Sequence, residues 1–218
     1  LSTGRDAAGA LTWGFNAQNV GNMLFRAMPL IMTGLSVAFA FKTGLFNIGA
    51  AGQYTLGAFG ALYFAIVLGM PWWGCLLVSA VFGAVWGAIP GIFKAYLNIN
   101  EVITSIMFNW IGLYLVNEII YGRGSGVMYD AHNTRTWKLA TNAPQAQIPS
   151  CGMSELFHTS NTTIAIFLAI IVAIVVWVVL EKTTFGYELK AVGLNKNAAR
   201  YAGINEKKNI ILSMALSL

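Results

Sequence analysis

The sequence predicts an all-α fold, a polytopic bundle of transmembrane helices, and three observations predict it. Of the 218 residues, 57% are hydrophobic and only 10% are charged, with a mean hydropathy of +0.65, far from soluble averages. Ile164 to Leu180 is a run of seventeen apolar residues without a charge, extended by Thr162 and Thr163. About 20 such residues cross the ~30 Å hydrocarbon of a bilayer, and a soluble core helix of that length would show a polar face. Third, a short polar break, Gly44-Leu45-Phe46-Asn47-Ile48-Gly49-Ala50-Ala51-Gly52-Gln53, separates two apolar stretches, Met23 to Phe41 and Tyr54 to Gly69.

In chain order, residues 1–22 are polar and rich in Gly, Ala and Asn, with Arg5 and Asp6, and read as an extramembrane loop. Span one is expected over Leu24 to Phe41, with Arg26 and Lys42 near its ends, where both can snorkel to headgroups. Span two is expected from Ala51 to Leu68, followed by an abrupt turn at Met70-Pro71-Trp72-Trp73 whose tryptophans suit an interface belt. Span three, Gly74 to Phe93, carries Gly83, Gly87 and Gly91 on one helical face, a row that lets another backbone approach closely. Packing inside the same subunit is favoured over a subunit interface, and Pro90 is expected to end or kink this helix. Span four runs from Val102 to Ile120, a polar loop from Gly122 to Asn161, and span five from Thr162 to Leu180. A polar segment, 181–209, then leads into an apolar run, Ile210 to Leu216, that reads as part of a sixth span. The start at Leu1 and the stop inside that run suggest a piece of a longer protein.

Orientation follows from basic residues. With 181–209 inside, the inner loops hold Lys42, Lys94, Lys182, Lys190, Lys196, Arg200, Lys207 and Lys208, against Arg5, Arg123, Arg135 and Lys138 outside. Residues 1–22 and 122–161 are then external and 181–209 cytoplasmic. The net charge of +5 is therefore a topology signal, and the basic residues gather on no soluble face that would suit nucleic acid.

Little supports enzyme chemistry. His132 and His158 lie in the external loop near Asp130 and Glu155, with no spacing that makes a nucleophile and base or a metal site. Cys75 and Cys151 form no C-x-x-C pair, so no metal is expected, and no disulfide can be argued. A phosphate loop of the G-x-x-x-x-G-K-[ST] kind is missing, so ATP hydrolysis would have to lie elsewhere.

The polar residues within the spans say more. Asn47 and Gln53 flank the break, where open backbone in hydrocarbon is tolerated only if buried in protein or lining a watery path. A tight turn at the membrane surface is the plainer alternative. Asn98, Asn100 and Glu101 open span four, and Glu101, Ser105 and Asn109 share one helix face at i, i+4, i+8. Such a face must point to protein or water. Asn100 as an N-cap and Glu101 as a first-turn residue explain part of it, but Asn109 lies deeper, which favours a solute path over packing alone.

In the 181–209 segment, Phe185 to Val192 is expected to form a helix closed by Gly193. Asn195 is placed to cap a second helix, Lys196 to Ala202, which Gly203 terminates. Ala198, Tyr201 and Ala202 form an apolar stripe, with Lys196 and Arg200 pointing elsewhere. Its area is too small for strong lipid insertion, so docking to a soluble partner is preferred over lying on the bilayer.

Three stretches together resemble the permease subunits of bacterial ATP-binding cassette (ABC) importers for nucleosides, simple sugars and branched-chain amino acids. They are 44–53, Asn100-Glu101-Val102-Ile103-Thr104-Ser105-Ile106-Met107-Phe108-Asn109, and Ala191-Val192-Gly193-Leu194-Asn195-Lys196-Asn197-Ala198-Ala199-Arg200-Tyr201-Ala202-Gly203-Ile204. The likeness covers most of Phe25 to Leu218 and is closest to the nucleoside type. It departs at Ala51, where many such relatives carry Glu, which loosens the solute assignment but leaves the family. The resemblance implies one transmembrane permease domain over 1–218, in a bacterial inner membrane, carrying nucleosides by alternating access, or ribose-like sugars or branched-chain amino acids. It implies ATPase subunits that use the ATP, with no cofactor on this chain, a second permease (the same chain or another) and an extracytoplasmic solute-binding protein. By the same resemblance, Asn47, Gln53, Asn100, Glu101, Ser105 and Asn109 line or gate the path. Gly193, Asn195, Ala198, Ala199, Arg200, Tyr201 and Gly203 serve the ATPase contact. An ion-coupled secondary transporter, with Glu101 as its acidic candidate, and a non-transporting structural membrane subunit are the other classes considered.

Overall fold

The computed structural model describes residues 2–5, 11–14, 17–123, 127–130, 132–159 and 162–217. Asp6, the loop tip at 124–126 and Asn161 lie outside the described residues. Ten helices and two small hairpins are described, and the chain divides into two compact units, 1–32 with 148–173 and 33–147 with 174–218.

Residues 1–22 are not simply a loop. Strands β1 (Ser2–Arg5) and β2 (Leu11–Gly14) pair antiparallel, Ser2 opposite Gly14 and Arg5 opposite Leu11, and helix α1 (Ala17–Lys42) begins before span one was expected. In this first unit, α1 runs beside the segment leading from helix α6 (Met153–Leu156) to helix α7 (Ala165–Lys182). A Cβ at Gly21 would come within 2.8 Å of Phe157 and of the Thr162 hydroxyl, and Thr159 Oγ1 donates to Asn22 Oδ1 at 3.3 Å. Thr162 and Thr163 precede the helix instead of opening it, so span five starts at Ala165.

The second unit is built on helices α2 (Ala50–Ile66), α3 (Trp72–Leu97) and α4 (Glu101–Asn117), the last continued by a π-helical turn over Glu118–Arg123. The glycines of α2 let its neighbours approach closely. A Cβ at Gly57 would lie 2.9 Å from Ser79 Oγ on α3, and one at Gly52 would lie 3.0 Å from Asn109 Cα on α4. Helix α3 does not stop at Pro90 but runs on to Leu97, where Asn98 turns left-handed (φ 52°) and closes it. The 122–161 loop is more structured than expected. It holds the two-residue strands β3 (Tyr129–Asp130) and β4 (Arg135–Thr136), helix α5 (Leu139–Asn142), a 3-10 turn over Pro144–Ala146, and α6. Ala143 and Ala146 pack on Ala65 and Cys75, at the ends of α2 and α3.

Three short helices complete the unit: α8 (Thr184–Leu194), α9 (Lys196–Tyr201) and α10 (Glu206–Leu216). Leu45, Val192, Ala199, Ile210 and Met214 form a core cluster joining the break to all three.

Among the described residues, four helices are long and apolar enough to cross a membrane: α1, α3, the continuous helix Glu101–Gly122, and α7. The expected span two is the exception. With 17 residues, α2 extends about 25 Å at 1.5 Å per residue, short of the ~30 Å hydrocarbon layer.

Candidate functional site

The break comprises residues 43–49, between the end of α1 and the start of α2. The chain can turn there because Gly44 takes φ +70°, a conformation that costs a residue with a Cβ. Thr43 Oγ1 caps the Ala40 carbonyl at 2.7 Å.

From here, side chains pin the open backbone. Asn47 is 2% exposed, and its Oδ1 accepts the Gly49 N–H at 2.7 Å. Its Nδ2 donates to Gln53 Oε1 at 2.9 Å and to the hydroxyl of Ser217 at 2.6 Å. Gln53, equally buried, donates through Nε2 to the Met214 carbonyl at 3.0 Å. Asn109 reaches the same turn from α4. Its Oδ1 accepts the Gly52 N–H at 2.7 Å, and its Nδ2 donates to the Ile48 carbonyl at 2.8 Å. The helix-period face read from the sequence is therefore real, but Asn109 uses both ends of its amide to hold the backbone of the break. Ser105 lies on that face too, fully buried against Gly49, and its hydroxyl has no hydrogen-bond partner among the described residues.

The start of α4 follows the simpler of the two readings. Asn100 is exposed and caps the helix, accepting the Val102 N–H at 2.9 Å. Glu101 pairs with Lys94 of α3 at 2.7 Å. Asn47, Gln53, Ser105 and Asn109 thus meet around the break, while Asn100 and Glu101 stand apart.

Gly87 and Gly91, two of the small residues in the row on α3, face α10 of the same chain. A Cβ at Gly87 would collide with Gln53 Nε2 and the Met214 carbonyl, and one at Gly91 would lie 3.1 Å from Ile211 Cα. Helix α10 and its C-cap carry a polar seam that the sequence reading missed, Ile210 to Leu216 having been read only as an apolar run. Asn209, Ser213 and Ser217 are buried at i, i+4, i+8 and bond in turn to Glu188 on α8, Thr43 at the start of the break, and Asn47 within it. The same periodicity that flagged Glu101, Ser105 and Asn109 was available to find them.

The 184–203 region agrees in part with its sequence reading. Asn195 caps α9 as expected, its Oδ1 accepting the N–H groups of Asn197 and Ala198 at 3.0 and 3.1 Å. Gly203 terminates it at φ +81°, with Gly203 N–H on the Arg200 carbonyl and Ile204 N–H on that of Ala199, a Schellman closure. Ala198, Arg200, Tyr201 and Ala202 are exposed, Tyr201 at 94%. Two expectations are corrected. Gly193 does not close α8, which runs on to Leu194. Instead it packs on the break: a Cβ there would lie 2.6 Å from the Thr43 carbonyl carbon and 2.9 Å from the Gly44 nitrogen. Ala199, expected among the residues of the ATPase contact, is 3% exposed and belongs to the inner cluster, because a six-residue helix lying on protein must bury one side.

His132 and His158 are exposed, and among the described residues no three His, Cys, Asp or Glu side chains gather. Asp130 organises the β3–β4 turn: Asn133 Nδ2 donates to it at 2.6 Å, and the His132 and Asn133 N–H groups add to this. These bonds, the Asn133 side chain's first, hold its carboxyl below the usual range.

Residues 19–217 match the family described as "Branched-chain amino acid transport system / permease component". The chain is similar to the guanosine ABC transporter permease protein NupP of Bacillus subtilis, at 38% identity over 202 residues, 91% of this chain and 56% of that protein. It is also similar to the nucleoside ABC transporter permease protein NupB of Lactococcus lactis, at 38% over 210 residues, 93% of this chain and 56% of that one. A glucose ABC transporter permease protein of Haloferax volcanii is 35% identical over 189 residues, 84% of this chain and 49% of that protein. The chain thus spans about half the length of these relatives. No solved structure matches it.

Proposed function

The chain belongs to the permease-component family of branched-chain amino acid transport systems, and on that premise we propose that it is the membrane part of an ABC importer for nucleosides. The observation that carries this is the 38% identity to a guanosine and a nucleoside permease along nine-tenths of the chain. The chain is a multi-pass membrane protein with four helices of spanning length among the described residues. In the proposed reading it sits in a bacterial inner membrane, α2 adds a fifth, shorter crossing, and residues 184–203 face the cytoplasm. The exposed edge of Leu194, Ala198, Arg200 and Tyr201 supports docking of ATPase subunits there, since Leu194 at the end of α8 is 89% exposed and Tyr201 is 94% exposed on α9, which is capped at both ends. A second permease and an extracytoplasmic solute-binding protein would complete the importer.

The break is the proposed hinge of the path. Asn47 and Asn109 hold its backbone in the state described here, with Gln53 bracing Asn47, and alternating access would exchange some of these bonds. Ser105, buried beside Gly49 and unpaired, would be free to accept or donate in the other state. A sugar-carrying variant of this reading draws on the glucose relative.

Uptake by the full-length protein with its partner subunits in vesicles tests this, with labelled guanosine, uridine, glucose, ribose and leucine, with and without ATP on the ATPase side. ATP-dependent uptake of the nucleosides is the expected result. ATP-dependent uptake of glucose or leucine alone would reassign the solute, and uptake driven by an ion gradient without ATP would overturn the importer.

A further inference from the structure

Helix α10 and its C-cap residue Ser217 make three polar contacts, spaced about one helical turn apart, to two other segments, α8 and the break. At one end Asn209 Nδ2 donates to Glu188 Oε2 of α8 at 3.1 Å. One turn on, the Ser213 hydroxyl bonds to that of Thr43. At the other end the Ser217 hydroxyl receives Asn47 Nδ2 at 2.6 Å, and the nearby Met214 carbonyl receives Gln53. Asn209, Ser213 and Ser217 are 2%, 0% and 0% exposed; the bonds at Ser213 and Ser217 are shut off from water, while the Asn209 amide is buried but its partner Glu188 is half-buried.

From this arrangement we infer that α10 is the strut that ties α8 and α9 to the break, and that Asn209, Ser213 and Ser217 are positioning residues for transport. The inference rests on the importer reading above. Helix α8 also touches the break directly, backbone on backbone, where Gly193 meets Thr43 and Gly44. Such a steric contact can push but cannot pull. A hydrogen bond resists displacement both ways, because it is lost beyond ~3.5 Å, and losing it strands a buried amide or hydroxyl. When α8 moves away from the break, the Asn209 rung therefore draws α10 with it. Ser217 and the Met214 carbonyl then withdraw from Asn47 and Gln53, the side chains that hold the break in its present form. Against α3 this motion meets glycines: Gly87 and Gly91 offer α10 a surface without side chains.

The test is the number of ATP molecules hydrolysed per guanosine imported by the full-length complex in vesicles, read beside its thermal stability. Asn209→Leu keeps volume and removes the rung, and Glu188→Leu removes it from the other side. Each should raise the ATP cost per solute about tenfold, in the range of ordinary coupling between sites. Glu188→Gln keeps an acceptor for Asn209 and should retain the wild-type ratio. If Asn209→Leu fails to assemble, Glu188→Leu carries the test alone, since Glu188 is only partly buried. Lowered stability or yield with an unchanged ratio in the assembled leucine variants would make the rung merely structural and overturn the inference. A wild-type complex that imports no guanosine with ATP would fail in a separate arm, overturning the importer reading and this inference with it.

Discussion

Helices α2 and α7 are opposites within one chain. Helix α7 has the most apolar window, with a mean hydropathy of 2.6, yet only 17% of that window is buried. Phe167, Ile171, Ile174, Val175 and Trp177 are all more than half exposed. Helix α2 is short, contains Gly52, Gln53, Gly57 and Gly60, and buries all four. The difference teaches that strong apolarity in a membrane protein marks what faces lipid. Hydrocarbon gives no hydrophobic drive for one leucine-rich helix to pack on another. Burial is instead bought with small residues, which admit neighbouring backbones, and with amides that find partners.

The comparison breaks if a bulky residue is tolerated on the face that meets the glycines. Gly87→Leu should have the largest effect, because its side chain would occupy the space of Gln53 Nε2 and the Met214 carbonyl. We expect a loss of about 3 kcal/mol or more, seen as failure to recover assembled protein or as a large fall in Tm in detergent. Normal Tm would mean that α10 is not seated on α3.

Asn109→Leu should come next. It leaves the Gly52 N–H and the Ile48 carbonyl without partners, at a cost of about 2–3 kcal/mol, with solute flux reduced in whatever protein remains folded. Unchanged Tm would dissolve the claim that polar residues brace α2.

Gly203→Val sharpens the argument from outside the spans. A Cβ at Gly203 meets nothing within 4 Å, so space is not at issue and only its φ of +81° is. A β-branched residue there should cost about 1–2 kcal/mol, felt less as global unfolding than as ATP hydrolysis uncoupled from uptake. Normal coupling in this variant would remove α9 from the transport cycle. At the small end, Val175→Ala on the exposed face of α7 should change Tm little, within about 0.5 kcal/mol. A larger loss would show that this face packs on protein.

Much of this was legible in the sequence, where local rules apply. The seventeen-residue apolar run announced α7, Asn195 and Gly203 bounded α9, and the glycines and Asn47 marked the break. Errors came where a residue had two uses. Gly193 carried the signature of a helix terminator but serves as a contact surface, and the sequence could not show which backbone it would meet. Ala199 matched its exposed neighbours in composition, but only the fold determined which side of a short helix is covered. Pro90, expected to end or kink α3, does not end it: the helix runs on to Leu97 with Pro90 buried inside it.

By itself the sequence determined the class, the order and approximate bounds of the main helices, the position of the break and the family. These follow from composition, period and caps, which act over a few residues. Only the tertiary structure decided that Asn47 would meet Ser217, 170 positions away, that Asn109 would hold Gly52 and Ile48, and that α10 would fit against the glycines of α3. Such pairings depend on which helix faces come together, and a linear pattern carries that information only as the need of each buried amide for a partner.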